Sequence, residues 1–103
     1  MSKCKYIPLL ITTMLLTSCG KMPYACFTVS EKEDSVPVNK PVIFNAYCSD
    51  NAKEYFWSFP NDSVAYTAIV TYTFREIGKK KVSLMVGNGN KSRYSFKELN
   101  VVP

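Results

Sequence analysis

From Val42 onward apolar residues recur at every second position, and that period restricts the chain to strands, because neighbouring side chains point to opposite sides only in extended backbone. Val42, Phe44, Ala46 and Cys48 alternate with Ile43, Asn45 and Tyr47. Tyr55, Trp57 and Phe59 follow, and then Tyr66, Ala68, Val70, Tyr72 and Phe74 against Thr67, Ile69, Thr71 and Thr73, a row whose β-branched threonines favour strand over helix. Val82, Leu84 and Val86 form a fourth row. Tyr94 and Phe96, followed by Leu99 and Val101, form a fifth, and its change of parity predicts a bulge.

Turn chemistry separates these rows. Ser49-Asp50-Asn51, Pro60-Asn61-Asp62, Gly78 and Gly87-Asn88-Gly89-Asn90 supply the breakers. With an initial strand over 24–30, about seven short strands result. The expected fold is all-β, an antiparallel immunoglobulin-like sandwich.

The residues ahead of this domain read differently. Lys3 and Lys5 precede a mostly apolar stretch, Tyr6 to Leu16, and then Leu16-Thr17-Ser18-Cys19. About eleven apolar residues fall short of the ~20 that a spanning helix needs, so the stretch reads as a cleaved secretory signal. Leu16, Thr17, Ser18 and Cys19 resemble the lipobox of bacterial lipoproteins, which implies acylation of Cys19 after cleavage and a membrane partner held through the N-terminal lipid. The expected organisation is signal peptide at 1–18, lipidated N-terminus and tether at 19–23, and one sandwich domain at 24–103. The expected location is the cell envelope, on the periplasmic face or the cell surface. Gly20-Lys21-Met22-Pro23 carries no acidic run, which leans towards the periplasmic face.

Export bears on the cysteines and the charge. Cys4 leaves with the signal and Cys19 takes the lipid, so only Cys26 and Cys48 remain to pair in an oxidising compartment. Two separate thiols are the other reading. Antiparallel pairing about Pro37 sets these cysteines opposite each other but turns Phe27 to the other side, and a bulge or shifted register reconciles the two. The chain carries 13 basic and 8 acidic residues, a formal charge of +5; loss of Lys3 and Lys5 leaves 11 against 8, or +3. Lys79-Lys80-Lys81 reads as solvated side chains, and nucleic acid is not an expected partner.

From about Ala25 to Val102 the ordered series resembles a PKD domain, the polycystic-kidney-disease type of immunoglobulin-like module. Val42-Ile43-Phe44 after Pro41 matches its first strand, and Trp57-Ser58-Phe59-Pro60-Asn61-Asp62 stands where the family has Trp-Asp-Phe-Gly-Asp-Gly. Phe74, Gly78, Val82, Leu84, Val86 and Asn88 fall at the family spacings. The resemblance implies a core built on Val42, Phe44, Trp57, Phe59, Phe74, Gly78, Val82, Leu84 and Val86, with Phe27 buried as well. Two departures matter. Pro60-Asn61-Asp62 lacks the glycines that make positive φ cheap, so a remodelled turn is expected. Lys80 replaces a tyrosine, and its stem can cover apolar surface while the ammonium stays wet.

Few residues suit catalysis. The chain has no histidine, which excludes Ser-His-Asp and Cys-His arrangements, and no pair of carboxylates stands out as acid and base. An enzyme, a cofactor and a metal site are all unexpected. Asp50-Asn51 and Asn61-Asp62 offer oxygen ligands, yet calcium takes about six to eight, and local turn chemistry accounts for both pairs. Tyr47, Phe56 and Tyr94 fall off the core rows and are the candidate binding residues. The expected role is a protein-interaction or structural module of an envelope assembly, which a broad apolar patch or open sheet edge would favour; the alternative is an accessory glycan-binding module, which contiguous exposed aromatics with polar neighbours would favour.

Overall fold

A computed structural model describes residues 22–103, and strands are the only regular elements among them. The lipobox Leu16, Thr17, Ser18 and Cys19 lies outside the described residues. In chain order the strands are β1 (Thr28–Val29), β2 (Val36–Pro37), β3 (Pro41–Asn45), β4 (Glu54–Phe59), β5 (Ser63–Ala65), β6 (Ile69–Thr73), β7 (Gly78–Asn88) and β8 (Lys91–Val102). They form two sheets, β1-β3-β6 and β2-β8-β7-β4-β5. Every neighbour pair is antiparallel except β2–β8, where Val36 and Pro37 lie parallel to Val101 and Val102. The expected sandwich is present, with eight strands rather than about seven. The initial strand is reduced to β1 and an isolated bridge between Tyr24 and Asp50.

The period-two rows meet between the sheets. Val42, Phe44, Trp57, Val82, Leu84 and Val86 are fully buried, with Phe59 and Phe74 close behind, and Phe27, Val36, Ala46, Leu99 and Val101 complete the core. No polar or charged residue is buried among the described residues. Phe44 of β3 meets Trp57 and Phe59 of β4 edge-on, with centroids 6.0 and 5.2 Å apart, and Phe27 meets Trp57 at 5.1 Å. Such tilted contacts add to what area burial contributes. The Trp57 indole N–H donates to the Thr67 carbonyl at 2.7 Å, so the one polar atom of the ring is satisfied. Gly78 is not a core residue: it is half-buried and opens β7 at φ 118°.

The turn after Trp57-Ser58-Phe59 keeps positive φ without glycine, contrary to expectation. Asn61 and Asp62 stand at φ 66° and 61° between Phe59 and its partner Ser63. Asn and Asp are the non-glycine residues that tolerate this region best. Tyr72 of β6 fixes the turn from the other sheet, stacking on Phe59 at 4.4 Å and donating its hydroxyl to the Pro60 carbonyl at 3.2 Å. Lys80 lies on the inward parity of β7; its side chain is only 21% exposed and its ammonium reaches Glu76 at 3.6 Å.

Cys26 and Cys48 are bonded, with Cα atoms 5.3 Å apart. The register that permits this is shifted by one from pairing about Pro37: Thr28 faces Asn45 and Val29 faces Phe44, which keeps Phe27 inside. Cys48 reaches Cys26 because the chain leaves the ladder after Asn45 and turns, Ser49 N donating to Ala46 O at 2.9 Å. The Ser49 hydroxyl replaces the missing ladder bonds, accepting from Cys26 N at 2.9 Å and donating to Cys26 O at 2.7 Å. Cys48 is therefore exposed, although it shares parity with Val42 and Phe44.

Three further expectations are corrected. No bulge separates Phe96 from Leu99: β7 and β8 pair without interruption from Gly78↔Val101 to Asn88↔Lys91. The parity changes because Tyr94 and Phe96 point outward, while the inward positions opposite Val82, Leu84 and Val86 are Lys97, Ser95 and Arg93. Tyr66 leaves its row, since β6 begins only at Ile69. Gly87 and Asn88 belong to β7, and the hairpin turn is Gly89-Asn90, with its positive φ of 68° at the first position as a two-residue loop favours.

Candidate functional site

The outer face of the five-stranded sheet gathers three of the exposed aromatic residues, Tyr66, Tyr94 and Phe96. Residues directly opposite across a ladder share a face. Tyr94 of β8 lies opposite Met85 of β7, and Met85 lies opposite Phe56 of β4, so the three side chains stand in one line across the sheet. With strands about 4.8 Å apart, Tyr94 and Phe56 are separated by about 10 Å. Tyr66 extends the line, its ring centroid 5.4 Å from that of Phe56.

A second line runs beside the first. Phe96 faces Ser83, Ser83 faces Ser58, and Ser58 faces Val64 of β5. Glu98 and Lys81 form a third. The Lys81 ammonium sits 4.6 Å from the Phe96 centroid, a cation–π contact that holds both side chains on the surface. Tyr94, Tyr66, Phe96 and Val64 are 69%, 67%, 63% and 49% exposed. The result is an open platform of rings interleaved with serine hydroxyls and bordered by Lys81 and Glu98 on one side and Glu54 on the other.

Of the three candidate binding residues, the structure brings Phe56 and Tyr94 together through Met85 and leaves Tyr47 apart. Tyr47 stands in the turn that follows β3, its N–H held by the Asn45 side chain at 2.8 Å. Tyr66 and Phe96 are the members that period-two reading assigned to the core. The sequence signal for Phe96 was its parity, even where Leu99 and Val101 are odd. The acidic loops serve local structure: Asn51 stands at φ 53°, accepts from the Asn88 side chain at 2.8 Å and donates to the Met22 carbonyl at 3.3 Å. No group of three acidic or cysteine side chains among the described residues is arranged to hold a metal.

Comparisons agree with this architecture. A structure of carbohydrate-binding modules from the β-sandwich superfamily, concerned with their promiscuous specificity, superimposes with a TM-score of 0.72 and 27% identity over 82% of this chain. The chain spans 36% of that structure's length. The PKD1 domain of the Vibrio cholerae metalloprotease PrtV aligns with a TM-score of 0.66 and 21% identity, covering 80% of this chain and 99% of its own. The PKD1 domain of Vibrio anguillarum Epp gives 0.65 and 22%, covering 82% and 99%. At those two identities the likeness speaks for the fold alone. No curated protein matches the chain significantly. The PKD domain family matches residues 26–100, which span both sheets, the disulfide and the Trp57 turn, so the chain belongs to the PKD domain family.

Proposed function

We propose that this chain is a lipid-anchored protein of the cell envelope whose PKD sandwich acts by binding rather than by chemistry, and that it holds polysaccharide on the outer face of its larger sheet. The observation that carries this is the register: Tyr94, Met85 and Phe56 stand in line, with Tyr66 and Phe96 beside them and serine hydroxyls between. Sugar rings present apolar faces and polar rims, and a flat array of aromatic rings with nearby hydroxyls complements both. The spacing of about 10 Å between Tyr94 and Phe56 is on the scale of a disaccharide unit. The likeness to carbohydrate-binding modules at 27% identity supports the same reading. Lipid attachment at Cys19 would keep the module at the membrane that bears the anchor.

The test is sedimentation of the lipidated protein in detergent with insoluble cellulose, chitin or peptidoglycan. Wild-type protein is expected to sediment with at least one of them. Tyr94→Ser and Phe96→Ser should each weaken that binding about tenfold, ~1.4 kcal/mol, while leaving the unfolding midpoint in place because both rings are exposed. Retention by wild type and variants alike would remove the platform from the argument. In parallel, Cys19→Ala should move the protein from the membrane fraction to the soluble fraction.

A protein partner is favoured by a different observation. Because Ala46 N bonds to Ala68 O, alternation along the ladder directs the N–H and C=O groups of Ile69, Thr71 and Thr73 to the open side of β6, which is an edge strand. Thr71→Pro removes one of these donors. A protein captured from envelope extracts by wild type and lost by Thr71→Pro, with no polysaccharide retained, would replace the glycan reading.

A further inference from the structure

The chain enters the sandwich beside its exposed tyrosines. Pro23 is already buried, and Tyr24 is bridged to Asp50 by paired backbone bonds of 3.0 and 2.9 Å. Four residue steps separate Cys19 from Pro23, a reach of at most about 14 Å even when fully extended. A lipid on Cys19 therefore leaves this end of the domain little distance from the membrane, whichever way the tether runs.

Hydrogen bonds identify what else lies at this end. Asn51 joins Met22 at 3.3 Å, Asn88 joins Asn51 at 2.8 Å, Lys53 N reaches Gly87 O at 2.8 Å, and Ala46 N reaches Ala68 O at 2.8 Å. The turn at 46–53, the link at 66–68 and the hairpin tip at 87–91 thus surround the chain entry. Tyr24, Tyr47 and Tyr66 are 64%, 68% and 67% exposed there. The opposite end, formed by 37–40, 60–62 and 75–78, has no exposed tyrosine, since the Tyr72 hydroxyl that reaches it is bonded to the Pro60 carbonyl, and its exposed apolar side chain is Ile77. Lys53 and Lys91 also stand at the entry end, with Asp50 and Glu54 near them, and Lys21 lies in the tether itself.

We infer that the Tyr24–Tyr47 end of the sandwich rests on the phospholipid surface that holds the anchor, an inference that depends on the lipid-anchored reading above. Tyrosine suits the headgroup layer because its ring is apolar and its hydroxyl needs a polar partner. Lysine stems lie along the same boundary and direct their ammonium groups to anionic headgroups. The tether length fixes which end is close, and the tyrosines make that end compatible with the interface. The sandwich then stands on end, with the Pro60–Asp62 turn and the chain terminus after Val102 farthest from the bilayer.

The lipidated full-length product is placed in nanodiscs of phosphatidylethanolamine and phosphatidylglycerol that carry a headgroup spin label, and backbone amide signals are recorded. Selective loss of intensity at 46–53, 66–68 and 87–91, with signals at 60–62 and 75–78 retained, is the expected result. Tyr24→Ser combined with Tyr47→Ser should weaken that selective loss, the tether alone then keeping this end near, without unfolding the domain, since both side chains are exposed. Equal loss at both ends, greater loss at the far end, or a double variant that behaves as wild type would overturn the docking. A protein that does not copurify with the discs would overturn the lipid anchor beneath it, which is a separate outcome from an anchored protein with uniform signal loss.

Discussion

Replacing Trp57 tests the core at the position where the two sheets depend on each other most. Its side chain is fully buried, packs edge-on against Phe27 and Phe44 at 5.1 and 6.0 Å, and lies parallel to Phe59 at 6.0 Å. Truncating a buried Trp or Phe to Ala costs about 3–5 kcal/mol, the transfer term plus the cavity. The lost indole N–H bond adds little, because Thr67 is exposed and water can serve its carbonyl. At roughly 0.05–0.15 kcal/mol per residue, the domain over 22–103 holds about 4–12 kcal/mol in total. Trp57→Ala thus removes about a quarter or more of the stability and lowers the melting temperature by about 15–35 °C. Trp57→Phe keeps most of the ring and should cost about 1–2 kcal/mol. Urea titration followed by circular dichroism measures both, since the variants lack the tryptophan signal. A Trp57→Ala midpoint within about 1 kcal/mol of wild type would refute the cavity reasoning. So would equal losses for the alanine and phenylalanine variants, because ring volume would then not be the cause.

Two other changes probe parts of the fold that do not rest on the core. Cys26→Ser with Cys48→Ser opens a loop spanning 22 residues of sequence separation and should lower stability by about 3 kcal/mol in chemical denaturation; an unchanged midpoint would mean that Ser49 holds β1 alone. Asp62→Ala should cost about 1 kcal/mol, since alanine pays for φ 61° what Asp largely avoids, whereas Asp62→Gly should cost nothing or stabilise slightly. Equal effects of alanine and glycine in thermal melts would show that the backbone angle is not the issue.

Alternation alone located the rows of β3, β4 and β7, because each carries consecutive inward apolar residues, as Val82, Leu84 and Val86 are. It failed on β8, where the small sheet has three strands and the large one five. The even parity of Tyr94 and Phe96 against the odd Leu99 and Val101 was the sign that they face outward, but it is equally the sign of a bulge, and only the uninterrupted ladder separates the two. β2 was invisible for another reason: two residues ending in proline have no period, and the burial of Val36 depends on a parallel partner some 65 residues away. The Cys26–Cys48 pair was legible as chemistry, but its register was not, because a turn after Asn45 brings Cys48 back without ladder pairing. Two members of the candidate site followed from sequence, Phe56 and Tyr94. Met85, Tyr66 and Phe96 required the register that sets them in line.

That line of rings is hard to attribute to folding. Tyr94 and Phe96 keep more than three-fifths of their surface exposed, so each contributes little burial to a core that is complete without them. An outward strand position is served as well by threonine or lysine, residues that also protect a sheet from association. Tyr94, Phe96, Tyr66 and Val64 instead expose apolar surface together on one face, a liability in any chain held at high local concentration on a membrane. The fold limits that liability only in part, by laying Lys81 over Phe96 and setting Ser58 and Ser83 between the rings. Where local rules are broken without gain in stability, a binding role accounts for the exception. On these grounds the outer sheet face, rather than the altered Trp57 turn, is the proposed binding surface of this PKD domain.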